Sequence, residues 1–167
     1  MAIYLQIQGI NGDVSAKNYK HWINLESFNF SVKRTLSTRP GRVVDREGTR
    51  PSISEITIAK HTDKSSPLLF GEACTGQAKP NVKIVFCTTN DSLSPYLEYT
   101  LSNVIVSSYT VNTRTESDDK DNKTHHPHEI ITLNFDKVEM KFTPFDEKHQ
   151  AQSPIPSGYD LKQATAT

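Results

Sequence analysis

Hydrophobic and polar residues alternate along several stretches of this chain. Near the start, Ile3, Leu5 and Ile7 occupy every second position, and the same spacing returns at Val82 and Ile84. Successive side chains of a β-strand point to opposite faces of a sheet, so this spacing predicts strands with one buried face. The sequence therefore indicates a protein built mainly from β-sheet.

Three longer stretches keep the two-residue spacing but change its phase part-way along. The changes lie near Glu26–Ser27 in segment 21–34, near Asn103 and Ser107–Ser108 in segment 96–111, and at Asp136–Lys137 in segment 131–142. A phase change in a strand pattern indicates a bulge or a sharp bend. Long strands that bend repeatedly are typical of strongly coiled sheets, which close into barrels or pack as two sheets.

Only the stretch from Lys60 to Gly76 has the pattern of a helix. Ser66 is predicted to be the N-cap, Pro67 suits the first turn, and Gly76 suits the C-terminal stop. The face predicted to pack inward consists of Leu69, Phe70, Ala73 and Cys74. The predicted fold is mainly β, an antiparallel β-barrel or two packed sheets, with one short α-helix (about 66–75) on the outside.

Length and composition favour one domain with a core of its own. The chain has 167 residues, and we place the β-domain at residues 1–145, with a long arm at 35–52 and an irregular tail at 146–167. Lysine and arginine together equal aspartate and glutamate at 19 each, so no bulk charge attracts nucleic acid or a membrane surface. Cys74 and Cys87 are predicted to be buried, unpaired thiols.

The N-terminal stretch MAIYLQIQGINGD lacks the basic region and the sustained apolar core of a secretory signal peptide. No run of residues approaches the ~20 apolar positions of a membrane-spanning helix. We therefore expect a protein made in the cytoplasm, without membrane insertion, which leaves the cell, if it does, by a route that reads no N-terminal signal.

Motifs of enzyme chemistry are missing from the sequence. It has no nucleophile elbow, no phosphate-binding glycine loop and no cysteine pair of the zinc type, so no enzyme and no cofactor are predicted. His125, His126 and His128 form the one cluster with metal-binding residue types. Neighbouring positions converge poorly on one ion, and a solvated loop is the preferred interpretation, with no metal site predicted. Asp63 has no carboxylate partner for acid–base chemistry.

Charge is segregated between two polar loops. The arm and its root carry six basic residues against two acidic ones, a net charge of +4, around an apolar pair. Its candidate contact residues are Arg39, Arg42, Val43, Val44, Arg46 and Arg50. A second loop has a net charge of −3 over 116–121, and its acidic residues are Glu116, Asp118, Asp119 and Asp121. Opposite patches suit a head-to-tail contact between copies, and two solvated loops that never meet remain the alternative.

The helix stretch also carries a resemblance. The pattern Lys60-x-x-Asp63-x-Ser65-Ser66-Pro67-x-Leu69 follows an apolar strand, and it is followed by the runs LSNVIVSS from Leu101 and EIITLNF from Glu129. Together these resemble the haemolysin-coregulated protein family, the inner-tube proteins of the type VI secretion system. The resemblance covers roughly residues 3 to 145.

The resemblance implies a function that the patterns alone do not show. It implies a homo-hexameric ring, stacked into a tube inside a contractile sheath and expelled towards a target cell without a signal peptide. The sheath and the spike and baseplate proteins of the secretion machine would be its partners. Small protein effectors would be carried in the channel. It implies that Asn29, between Phe28 and Phe30, faces the channel, and Ser31 shares that face. The arm at 35–52 corresponds to the loop that contacts neighbouring subunits and rings.

Two other classes of protein stay open on the sequence. One is a monomeric β-sandwich binding module, for example lectin-like, which would use the loop at 35–52 for recognition. The other, with the least support, is a small enzyme. A measurement of mass in solution separates the first from a closed ring.

Overall fold

The computed structural model describes residues 1–35, 50–88, 93–113, 127–148 and 150–167. These residues form twelve strands and one helix. In chain order they are β1 (Ala2–Ile7), β2 (Ile23–Leu25), β3 (Ser27–Asn29), β4 (Val32–Lys33), β5 (Ser52–Ile53), β6 (Ile56–His61), α1 (Ser66–Thr75), β7 (Lys79–Cys87), β8 (Pro95–Asn112), β9 (His128–Asn134), β10 (Lys137–Phe142), β11 (Ile155–Asp160) and β12 (Thr165–Ala166). The predicted class, mainly β with antiparallel sheets and one short helix, is confirmed.

Two antiparallel sheets share the long strand β8. The first has the strand order β12-β11-β10-β8-β7-β1-β2, and the second runs β3-β6-β9-β8. The first part of β8 pairs with β7 and β10, and the part from Ile105 onward pairs with β9. Strands β4 and β5 form a separate pair that joins the two ends of the arm. One strand therefore carries the chain from one sheet into the other.

Both sheets contribute to one hydrophobic core. Leu5, Ile84 and Leu101 from the first sheet and Ile58 and Ile131 from the second are all fully buried in it. Phe28 of β3 connects the sheets, with its ring 5.2 Å from that of Phe86 and 4.9 Å from that of Tyr99. Burial of each large apolar side chain contributes about 1.5–3 kcal/mol, so this shared core holds the sheets together.

The predicted bends are the places where strands change partners. At Glu26 the chain leaves β2, which pairs with β1, and enters β3, which pairs with β6. Within β8, Asn103 has a left-handed φ of 53°, and the register to β9 shifts between Val106 and Ser108. A left-handed residue interrupts the pleat and turns the strand, which directs its second half into the other sheet.

The outer face of the first sheet is covered by the loop between β1 and β2. Tyr19 of this loop stacks on Tyr4 with ring centroids 4.9 Å apart, over the buried Cys87. Gly12 permits the close approach, because a Cβ there would lie 2.4 Å from the carbonyl oxygen of Trp22. The loop thus forms a second, smaller hydrophobic cluster.

The helix forms where predicted, with two differences in detail. The first difference is the N-cap, which is Ser65 and not Ser66. Gly76 ends the helix as predicted, with a left-handed φ of 64°. Leu69 is fully buried, but Phe70 is 55% exposed and Cys74 is exposed, so the prediction that these two are buried is wrong. A helix that lies flat on a sheet buries a narrow stripe, and here the stripe is centred on Leu69.

The C-terminal segment is more ordered than the expected irregular tail. Strand β11 pairs along the whole of β10, from Lys137 opposite Asp160 to Phe142 opposite Ile155, and β12 adds a short edge. Side chains of β11 are exposed or half-buried. A strand this close to the sheet edge, with no buried side chain, is held largely by backbone hydrogen bonds, so the sequence shows no hydrophobic alternation that would predict it.

The contrast between Leu69 and Phe70 gives a direct test of how the helix is held. We expect Leu69→Ala to lower the free energy of unfolding by about 2–5 kcal/mol, because it leaves a cavity in the core. Phe70→Ala is the matched control and should cost under about 1 kcal/mol, because the ring is more than half exposed. Urea unfolding followed by circular dichroism measures both, and equal losses would contradict this packing.

Candidate functional site

A buried charge cluster fixes the helix to the second sheet. Lys60 of β6 is fully buried, and its Nζ lies 2.8 Å from Oε2 of Glu129 and 2.9 Å from Oδ1 of Asp63. Its ammonium group also donates a hydrogen bond of 3.1 Å to Oγ of Ser66. Glu129 lies opposite Lys60 across the β6–β9 pair. One cation thus joins β6, β9 and the start of α1.

The turn into α1 is built by the same residues. The carboxylate of Asp63 accepts a hydrogen bond of 2.9 Å from the Ser65 backbone N–H and another from the Ser65 hydroxyl. Oγ of Ser66 accepts a hydrogen bond of 3.0 Å from the Asp63 backbone N–H. A carboxylate at a helix N-terminus is also favoured by the helix dipole. These contacts explain why the pattern from Lys60 to Ser66 has its particular spacing.

The electrostatics of the cluster keep both carboxylates ionised. Burial acts to raise the pKa of Glu129, but hydrogen bonds from Lys60 and Ser66 outweigh it and lower that pKa below its usual value. The pKa of Asp63 is likewise lowered, since hydrogen bonds from Ser65 and Lys60 outweigh its desolvation. Burial and a hydrogen bond to Glu129 raise the pKa of the neighbouring Tyr109 to about 12. The cluster is therefore one cation between two anions.

The second sheet presents a polar face on the side away from the core. Across its four strands one row consists of small polar residues in register, Asn29, Thr57, Thr132 and Ser108. Asn29 and Ser108 are exposed, and Thr57 and Thr132 are half-buried. Further along the face, Asn134 donates a hydrogen bond of 2.9 Å to Oε1 of Glu55. We call this surface, from Asn29 to Ser108, the polar sheet face.

The two predicted channel residues occupy different positions. Asn29 lies on the polar sheet face, at the end of β3. Ser31 is half-buried between β3 and β4, where its backbone N–H donates a hydrogen bond of 2.9 Å to Oγ of Ser54. Ser31 therefore also helps to hold the root of the arm, a role that the sequence did not indicate.

Most residues of the two charged loops lie outside the described residues. These are Arg39, Arg42, Val43, Val44 and Arg46 of the arm, and Glu116, Asp118, Asp119 and Asp121 of the acidic loop. His125 and His126 lie outside them as well. Arg50 is described and exposed, just before β5. The suggested contact between the loops therefore stays a prediction.

His128, in contrast, has described neighbours far away in sequence. Its Nδ1 lies 2.8 Å from Oε2 of Glu26, and the other oxygen of that carboxylate contacts Nε2 of His61. The three side chains together offer ligand atoms within 4.8 Å of one another. Sequence reasoning missed this cluster, because it considered His128 only beside its neighbours in the chain.

Comparison with known proteins identifies the family. The family model described as "Type VI secretion system effector, Hcp" matches residues 4–142. The chain belongs to the Hcp family. The match extends from β1 to the end of β10, with the helix and the buried charge cluster but without β11 and β12, and it confirms the resemblance to haemolysin-coregulated proteins.

Solved structures show the same Hcp fold. "Structure of a type six secretion system protein" is 22% identical, covers 99% of both chains and has a TM-score of 0.89. Hcp1 from Salmonella typhimurium is 21% identical over 99% of this chain and 98% of its own, with a TM-score of 0.77. A type VI secretion system effector from Yersinia pestis is 22% identical over 95% and 98%, with a TM-score of 0.72. No curated protein matches the sequence.

The structure also gives a limited finding on membranes. Within the ranges that the structure describes, no helix has the length and apolar character needed to cross a membrane.

The sequence of this Hcp chain contains a pattern that predicts the buried charge cluster, although the sequence analysis did not consider it. Lys60 shares its strand face with the buried Ile56 and Ile58, and Glu129 shares its face with Ile131. A charged residue at a core-facing position of an apolar strand requires a partner of opposite charge. Two such positions on different strands predict a buried pair.

Removal of the cation should destabilise the protein strongly. We expect Lys60→Met to lower the free energy of unfolding by about 3–5 kcal/mol, because two carboxylates then lack their buried counter-charge. Lys64→Met is the control, since Lys64 and Asp13 form an ion pair of 3.3 Å between half-exposed side chains. Such a pair contributes about 0–1 kcal/mol. Urea titrations of both variants test this, and a mild effect at Lys60 would argue against the cluster.

The lowered pKa values predict a loss of stability in acid. The contribution of Glu129 and Asp63 is complete at neutral pH, and it is lost as the pH falls below their usual pKa values of 4.5 and 3.8 towards the lower folded ones. We expect the urea midpoint to fall over this range, and Glu129→Gln to flatten the dependence. Identical pH profiles for the parent and this variant would refute the assignment.

Proposed function

We propose that this protein is a structural subunit of the type VI secretion inner tube. Six copies form a closed ring, and the rings stack into a tube that is expelled from the cell. The observation that carries the proposal is the family match over residues 4–142, which extends from β1 to the end of β10 and is not one short motif. A tube subunit works through its shape and its contacts, so the proposal needs no catalytic group.

The polar sheet face is our candidate for the channel lining. Its central row is small and uncharged, from Asn29 through Thr57 and Thr132 to Ser108. Such a row of small polar side chains is hydrated and offers no strong field to a passing protein. These properties support a channel that holds small protein effectors without binding them tightly.

The charged loops are our candidate for contacts between subunits and rings. The arm at 35–52 carries a net positive charge, and the loop at 116–121 a net negative charge, on a chain that is neutral in total. Opposite charges on different surfaces of one subunit suit a contact that repeats head to tail and closes into a ring. Sheath, spike and baseplate proteins are the further partners that this proposal includes.

The mass of the purified protein tests the ring directly. We expect native mass spectrometry to give six copies of the chain, and negative-stain electron microscopy to show rings with an open centre. A monomer at micromolar concentration would contradict the ring, and it would favour the alternative of a monomeric binding module.

Labels on the same rings can locate the polar sheet face. The parent has an exposed thiol at Cys74 on α1 and a buried one at Cys87, so maleimide-gold should mark the helix. In Asn29→Cys combined with Cys74→Ser, the gold should mark the polar sheet face instead. We expect gold in the centre of the rings for this variant and at the periphery for the parent. The reverse pattern would show that the channel is lined by another surface.

A further inference from the structure

Glu26, His61 and His128 form a compact group outside the buried charge cluster. His61 ends β6 and His128 begins β9, and they lie directly opposite each other in the antiparallel register. Glu26 lies in the bend before β3, which pairs with the other side of β6. Two neighbouring strands and the bend before a third therefore bring one side chain each to the same end of the sheet.

Backbone hydrogen bonds fix the positions of these three residues. The backbone N–H of Glu26 donates a hydrogen bond of 2.8 Å to the carbonyl oxygen of Ala59, two residues before His61. Thr62 extends the pairing of β6 and β9, and its N–H and hydroxyl donate to the carbonyl oxygen of Pro127 at 3.0 and 3.1 Å. The group thus lies on a rigid part of the sheet, and ligands held in this way lose little entropy when they bind an ion.

The donor atoms suit a divalent transition metal. One carboxylate oxygen and two imidazole nitrogens lie within 4.8 Å of one another, and Nδ1 of His128 is 2.8 Å from Oε2 of Glu26. Ligand atoms around a tetrahedral zinc ion are about 3.3 Å apart, given bonds of roughly 2.0–2.2 Å. Small side-chain rotations therefore bring all three atoms to bonding distance.

The group is also accessible to an ion from solvent. The side chains of Glu26, His61 and His128 are 32%, 57% and 40% exposed. A groove of about 420 Å³, lined in part by Tyr4, Asn24 and His61, reaches one of the three side chains. Because all three side chains reach solvent, a water molecule is available as the fourth ligand, as in zinc sites with three protein ligands.

We propose that Glu26, His61 and His128 form a binding site for a divalent transition metal, with zinc as the ion of best fit. Imidazole nitrogen is a preferred ligand of zinc, whereas calcium and magnesium require oxygen ligands in larger number. The bound ion would clamp β3, β6 and β9 together at one end of the polar sheet face. The site lies within a single chain, so it does not depend on the proposed ring.

The simpler account of this group is a carboxylate that contacts two histidines without any metal. Both accounts explain the short contacts around Glu26. They differ in one measurable property, the affinity for zinc. A metal site binds zinc and loses affinity when any one of the three side chains is replaced, whereas a metal-free cluster shows no such dependence.

Zinc binding to the full-length, untagged protein separates these accounts. The parent for the test carries Cys74→Ser, because an exposed thiol is itself a zinc ligand. After removal of metal with a chelator, titration of Zn²⁺ against a chromophoric competitor gives the stoichiometry and affinity. We expect one zinc ion per chain. His61→Ala, His128→Ala and Glu26→Gln should each weaken binding by about tenfold or more.

Two controls make the result specific. His21→Asn removes another exposed histidine, and Asn suits the left-handed φ of 67° at that position, so its zinc affinity should equal that of the parent. His125→Ala with His126→Ala tests the neighbouring histidines of the chain and should retain zinc. Circular dichroism confirms that every variant is folded.

Three results would overturn the proposal. The first is a parent that binds no zinc at concentrations up to the millimolar range. The second is equal affinity in the parent and in the three ligand variants. The third is binding that survives His61→Ala and Glu26→Gln but is lost with His125 and His126, which would place the ion on the run of histidines.

Discussion

The ammonium group of Lys60 connects two strands of the second sheet to the start of the helix. A buried charge is tolerated only where opposite charges and hydrogen-bond partners surround it. Here the partners come from β9 through Glu129 and from the start of α1 through Asp63 and Ser66. The cation is satisfied only when the second sheet is paired in its native register and the helix is docked. One side chain therefore couples strand register to helix position.

The same two strands carry a second polar group immediately beside the first. The pairs Lys60–Glu129 and His61–His128 are consecutive in the β6–β9 register, so their side chains point to opposite faces of the sheet. The first pair is buried against the helix, and the second is exposed beside Glu26. A shift of register by one residue would place both pairs on the wrong face. Alternation of the pleat thus separates the buried ion cluster from the exposed group that we propose as a metal site.

The bends in the long strands explain how one chain presents a core on one side and a polar sheet face on the other. The chain passes between the sheets at Glu26 and again within β8 at Asn103. Both sheets then direct their apolar positions into a shared core, where Phe28 contacts residues of the first sheet. The opposite side of the second sheet keeps small polar residues such as Thr57 and Thr132. This division of faces is the one that the proposed channel lining requires.

Local patterns in the sequence determined the strands that alternate apolar and polar residues, the phase changes, the glycine stop of α1 and the family. Each depends on residues close together in the chain, where side-chain spacing and backbone conformation are directly linked. Only the tertiary structure decided which side chains of these elements contact one another and which are exposed. It placed Glu129 against Lys60, exposed Phe70 beside the buried Leu69, and brought His61 and Glu26 to His128. It also paired β11 with β10 through backbone groups, whose hydrogen bonds do not depend on side-chain identity and leave no pattern in the sequence.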